Sequence, residues 1–124
     1  MKDWPGPGAG ERPAAYIVIL GDKGISQNFG CDHGIAAQSI LLGAREKGLG
    51  GCILGSIQRD RLRELLHLPP NLEILLVLAL GRPREKVVLE STPPGGDIKY
   101  WRDAQGVHHV PKRRLEDIII PQVP

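Results

Sequence analysis

The chain has 124 residues, 41% hydrophobic and 24% charged, with Gly 16 and Pro 11. This balance excludes a disordered tail and a membrane bundle, and glycines without a three-residue period exclude collagen. Lys+Arg 16 against Asp+Glu 14 leave a formal charge of +2, too even for a dedicated nucleic-acid binder.

A chain of this size is expected to form one small domain that buries roughly two thirds of its unfolded surface. Its only aromatics are Trp4, Tyr16, Phe29, Tyr100 and Trp101, so the core falls to Leu, Ile, Val and Ala. Cys31 and Cys52 give no disulfide framework, and nothing resembles a secretory signal. The apolar run at residues 74–80 is too short to cross ~30 Å of hydrocarbon. A reduced, cytoplasmic protein without a membrane span is the plain expectation.

Prolines and glycines interrupt residues 1–13 (MKDWPGPGAGERP), which read as a flexible N-terminal arm. An α+β core is expected over 14–82. It opens with a buried strand at 14–20 (AAYIVIL), bounded by Pro13 and a Gly21-Asp22 turn signal. Asp32 suits the N-cap of a helix from Gly34 to about Lys47. That helix is apolar nearly all round, which predicts either a buried central helix or half of a helix-to-helix dimer contact. Gly48 stands where a C-cap glycine belongs. A short strand follows at 50–54 (GGCIL), then a helix from Asp60 that Pro69-Pro70 stops. Residues 72–80 (LEILLVLAL) form a strand buried over its second half.

Residues 83–124 are expected to be an extended C-terminal region and arm. Short strands are predicted at 87–89 and 98–101 around the irregular loop STPPGGD. Lys112-Arg113-Arg114 and then Ile118-Ile119-Ile120 close the chain, an ending suited to lie on another surface.

Several motifs bear on chemistry. The cluster GLGGCILG at 48–55 is not a dinucleotide fingerprint, because its spacing is wrong and it leads from helix into strand. It reads as a helix stop and tight turn, or as a place where Gly55 lets a flat ligand approach the backbone. Cys31, His33, Cys52 and His67 lack the paired spacing of a metal site, so no metal is expected. His108-His109 falls in a predicted loop and reads as solvated surface. No nucleophile elbow and no acid–base constellation is visible, hence no catalytic side chain is named. In the run PKRRL, an extended chain would turn Lys112 and Arg114 to one side, a pair suited to a phosphate. A solvated basic run is the competing reading, and nucleic-acid contact through Lys112 to Arg114 has little other support.

Taken together, YIVIL, DHGIAAQSILLGAREKGLGGCILGS, LRELLHLPP, LEILLVLALGRPREK and PKRRL resemble the C-terminal half of the nitroreductase family of flavoenzymes. The resemblance implies an α+β fold with a mainly antiparallel sheet flanked by helices. It also implies an intertwined homodimer with exchange of C-terminal arms, and FMN at the interface. The backbone of Leu54 and Gly55 would face the flavin N5 and O4 edge, and Lys112 and Arg114 would match the phosphate-binding cations. The implied activity is hydride transfer from NAD(P)H through the flavin to a small-molecule acceptor such as a nitro compound or quinone. The family's N-terminal Arg-x-Ser/Thr-x-Arg element has no match before Tyr16, which implies an N-terminally truncated chain. A non-catalytic dimerisation or flavin-binding remnant is the alternative expectation.

Overall fold

The computed structural model describes residues 6–120, and the chain divides into two compact units, Met1–Arg82 and Pro83–Pro124. Of the expected N-terminal arm, residues 1–5 lie outside the described residues, as do 121–124 at the other end. Residues 8–11 close a turn through Glu11 N–H to the Gly8 carbonyl at 3.1 Å.

The first unit is built on β3 (Leu72–Gly81), whose apolar run makes it the central strand. It lies antiparallel between β1 (Ala15–Asp22) and β2 (Gly50–Leu54). Ile74, Val77, Leu78 and Ala79 of this strand are buried. The β1 prediction needs correction on two counts. The strand runs through the expected Gly21-Asp22 turn, because Asp22 still pairs with Leu72. It is also an edge strand, half-buried rather than buried, with Tyr16 exposed. Between β1 and β3 the register shifts, leaving Leu75 as an extra residue, the mark of a β-bulge.

Helix α1 (Asp32–Glu46) starts earlier than expected. Asp32 is its first helical residue, and Cys31 holds the N-cap position with no side-chain cap bond. The C-terminus behaves as the sequence predicts. Gly48 takes φ +73°, Leu49 N–H reaches the Ala44 carbonyl at 2.9 Å and Gly48 N–H reaches Arg45 at 3.0 Å. These are the paired bonds of a Schellman cap. The helix is not buried all round: only Ala37 and Ala44 are fully buried, while Ile35 and Leu42 are each 61% exposed. The sheet covers one face only, through β2 and β3. Close approach on that face depends on Gly51, where an added methyl would collide with the Leu41 and Leu80 side chains.

Helix α2 (Arg59–Leu65) ends before the prolines. Its stop is His67, at φ 51°, with Leu68 N–H bonded to Arg63 and His67 N–H to Glu64, both at 3.1 Å. This is the same capping pattern with histidine in the left-handed position.

The second unit holds β4 (Val87–Thr92), β5 (Trp101–Arg102) and β6 (His108–Arg113) in the order β4-β6-β5. β4 and β6 run parallel, β5 and β6 antiparallel. Here the local signals misplaced three boundaries. Ser91 and Thr92 of the expected loop belong to β4, the strand expected at 98–101 gives way to a two-residue strand at Trp101–Arg102, and His108-His109 lie in a strand. Pairing with a distant strand decided each of these, against local turn chemistry. A 3-10 turn at Leu115–Asp117 follows. Among the described residues the chain is α+β, with one antiparallel and one mixed sheet and two helices. Among the described residues no helix is long and apolar enough to cross a membrane.

Candidate functional site

The residues expected at a flavin belong to different units. Leu54 ends β2, paired with Val77 of β3, and Gly55 leaves the strand in a tight turn, its carbonyl accepting from Ile57 N–H at 3.1 Å. A methyl placed on Gly55 would meet nothing within 4 Å, so the backbone there is open to a flat group. An apolar cleft of about 440 Å³, lined by Ala14, Ala15, Leu49, Leu80, Gly81 and Arg82, sits at the Gly50–Gly81 end of the β2–β3 ladder. Leu54 is at the opposite end.

In the second unit, Lys112 is exposed near the end of β6 and pairs in register with Ser91. Arg114 follows the strand in extended conformation, with φ −68° and ψ 154°. Its guanidinium is already engaged. Nε donates to Asp117 Oδ2 at 2.9 Å and Nη2 to Oδ1 at 3.2 Å, while Nη1 lies 3.3 Å from Glu116 Oε1. The Asp117 bonds raise the Arg114 pKa further. Taken one by one, the open backbone at Gly55 suits a flat ring and the exposed ammonium of Lys112 suits a phosphate. Arg114 suits a phosphate only after giving up Asp117.

The structure also assembles a group that the sequence did not announce. His109, on β6, places Nδ1 2.7 Å from Glu90 Oε1 of β4 and Nε2 3.3 Å from Asp103 Oδ2. Its ring stacks on Trp101 of β5, centroids 4.9 Å apart and planes 3° from parallel. The Glu90 and Asp103 hydrogen bonds raise the His109 pKa above its ordinary 6.5. Asp103 also holds backbone, since its Oδ1 accepts from Val107 N–H at 2.8 Å and Gln105 N–H at 2.9 Å. The Val107 bond first, then the His109 and Gln105 bonds, hold its carboxyl below the ordinary 3.8. On the other side of the strand, His108 packs edge-on against Tyr100 at 5.1 Å. Glu85 joins there, 2.6 Å from Arg102 and 3.5 Å from His108 Nδ1. The last contact falls short of a hydrogen bond, and both His108 ring nitrogens lack one.

Two expectations change accordingly. His108-His109 is not a solvated loop, and carboxylates do converge on a histidine. Glu90 and Asp103 lie 19 and 6 residues from His109, with no periodic signal linking them, so only strand pairing reveals the group. Cys31 and Cys52 are free and exposed. Among the described residues, no group of three or more His, Cys, Asp or Glu side chains is placed to hold a metal ion.

Comparison with known proteins bears on these elements. The sequence profile of the nitroreductase family matches residues 8–82. An NADPH-flavin oxidoreductase of Vibrio harveyi is 43% identical over 54 residues, covering 42% of this chain and 22% of that protein. A protein of Archaeoglobus fulgidus, described by name as a candidate NADH dehydrogenase/NAD(P)H nitroreductase, is 35% identical over 81 residues. That match covers 59% of this chain and 47% of the relative. The chain thus spans less than half the length of these curated relatives.

Proposed function

The chain belongs to the nitroreductase family, and on that basis we propose that it is an NAD(P)H-dependent flavin oxidoreductase with FMN as its cofactor. The observation that carries the reading is the family match across residues 8–82, which takes in β1, α1, β2, α2 and β3 and so includes Leu54 and Gly55. FMN, when bound, supplies the two-electron carrier between NAD(P)H and a nitro compound, quinone or similar acceptor.

Each proposed residue has a limited physical role. Leu54 and Gly55 offer an open backbone against which a flat ring can lie, with polar N–H and C=O groups at its edge. Lys112 supplies a compact, exposed cation for a terminal phosphate. Arg114 adds a second only by exchanging Asp117 for that phosphate. No side-chain nucleophile is assigned.

A homodimer with exchanged C-terminal arms belongs to the same proposal. Exposed Ile35 and Leu42 on α1, and Ile118, Ile119 and Ile120 beyond the 3-10 turn, are the apolar surfaces that it would cover. A reducing cytoplasm suits the free Cys31 and Cys52.

The test is a titration of the purified chain with FMN, followed by flavin fluorescence and then by anaerobic addition of NADPH or NADH. The reading expects quenching on binding and loss of flavin absorbance on reduction. Binding without reduction points to the flavin-binding remnant, and no binding removes FMN from the function of this chain.

A further inference from the structure

We propose that Glu90, His109 and Asp103 form a proton-operated clasp that ties β4, β6 and the β5–β6 turn together and loosens that sheet when the imidazole loses its proton. Each ring nitrogen of His109 faces a carboxylate oxygen, at 2.7 Å on Glu90 and 3.3 Å on Asp103. A neutral imidazole has one N–H and one lone pair, so one of these contacts would set a lone pair against an anion. Only the imidazolium donates to both. The stack on Trp101 favours the same state, since a cation over an aromatic face is attracted by its quadrupole.

From β4 the group facing His109 is Glu90, and from the β5–β6 turn it is Asp103. From β5 it is the Trp101 ring, whereas Arg102 alternates to the opposite face and binds Glu85. On β6 itself His108 and Lys112 point to that opposite face, and Arg113 shares the His109 face with Pro111 between them. His109 is 18% exposed, so the contacts are partly shielded from water.

Each carboxylate is attached to a different segment, which is what makes the group a clasp. Glu90 belongs to the strand that pairs parallel with β6. Asp103 fixes the turn through the Val107 and Gln105 amides. Releasing His109 would therefore remove one tie from an edge strand and one from a turn at once. The raised His109 pKa sets the direction: the stabilisation is fully present below pH 6.5 and is lost as pH rises through the raised value. The clasp does not depend on flavin binding.

The test is NMR on the full chain, following the His109 ring resonances and the exchange protection of Val107, Val88 and Val110 amides from pH 5.5 to 9. His109 is expected to titrate above 6.5, and protection to fall with it by up to about tenfold per pH unit inside that window. Glu90→Gln should move both transitions together to lower pH, as should Asp103→Asn, whose amide oxygen still accepts the turn N–H bonds. Titration at or below 6.5, or protection indifferent to it in the unaltered chain, overturns the proposal. So does a Glu90→Gln chain whose transitions stay in place. Because the unaltered chain alone decides the first two outcomes, a variant that fails to fold does not rescue the idea.

Discussion

Arg59 Nε donates to the Ile74 carbonyl across 3.1 Å, so a helix side chain occupies the place that a neighbouring strand would take. β2 ends at Leu54, opposite Val77, and among the described residues no strand pairs with the rest of β3 on that side. Arg59 also reaches the Leu75 carbonyl with Nη2 at 3.4 Å, at the bulge. One helical turn on, Arg63 bonds the Pro69 and Leu72 carbonyls. Four helical residues rise about 6 Å and two strand residues about 6.6 Å, so the pair Arg59/Arg63 matches Ile74/Leu72. In this way α2 covers the exposed carbonyls of the central strand.

Replacing Arg59 with Met keeps the aliphatic stem and removes the donors. Charged hydrogen bonds to carbonyls are worth about 1.5–3 kcal/mol, and one of the two here is exposed. A loss of about 1–2 kcal/mol in urea unfolding is expected for Arg59→Met. Arg59→Lys should recover only part, since one ammonium lacks the forked reach of a guanidinium. Unchanged stability of Arg59→Met would show that water serves these carbonyls equally well.

Gly51 is the contact point between α1 and the sheet. A methyl there would lie 3.1 Å from the Ala79 carbonyl and collide with Leu41 and Leu80. Overpacking of this kind costs about 1–3 kcal/mol, so Gly51→Ala should lower the urea midpoint while Gly55→Ala, with open space around it, leaves the midpoint nearly unchanged. Equal midpoints for the two variants would contradict the packing argument.

Acid sensitivity of the first unit is expected to involve Asp22. Its carboxylate accepts from Asn71 Nδ2 at 2.9 Å and Gly24 N–H at 2.8 Å, and these bonds, Asn71 first, depress its pKa below 3.8. A depressed carboxyl stabilises the fold above pH 3.8 and stops doing so as pH falls through the lowered value. Circular dichroism across pH 2–5 should show a shallower acid transition for Asn71→Ala. The same slope in both proteins would remove Asp22 from the acid response.

For the proposed phosphate contact, Lys112→Ala should weaken FMN by roughly 10- to 150-fold, from a charge-assisted bond of about 1.5–3 kcal/mol. Riboflavin, which lacks the phosphate, should bind both proteins alike. Asp117→Asn should tighten FMN by releasing the Arg114 guanidinium from its carboxylate. Fluorescence titrations decide this, and an equal loss of FMN and riboflavin in Lys112→Ala would place Lys112 away from the phosphate.

Legibility divides along the two units. β2, β3 and the Gly48 stop of α1 follow from local pattern, because glycine's left-handed freedom and the apolar run over 74–80 act within one element. The same logic left α1's surroundings open between a buried helix and a dimer contact. An apolar circumference says that something should cover the helix, yet the sheet of this chain reaches only the Ala37–Ala44 side. It failed at His67, since histidine is not the residue expected at a left-handed cap.

By itself the sequence determined the elements of the first unit, its family, and the residues that merit testing at a flavin. Tertiary structure alone decided that Arg59 and Arg63 complete the edge of β3, that Arg114 turns to Asp117, and that His109 meets Glu90 and Asp103. The reason is physical. Strand and helix periods are written in neighbouring residues, whereas the parallel pairing of β4 with β6 joins segments whose intervening loop carries no signal of register. A charge finds its partner only once that register exists.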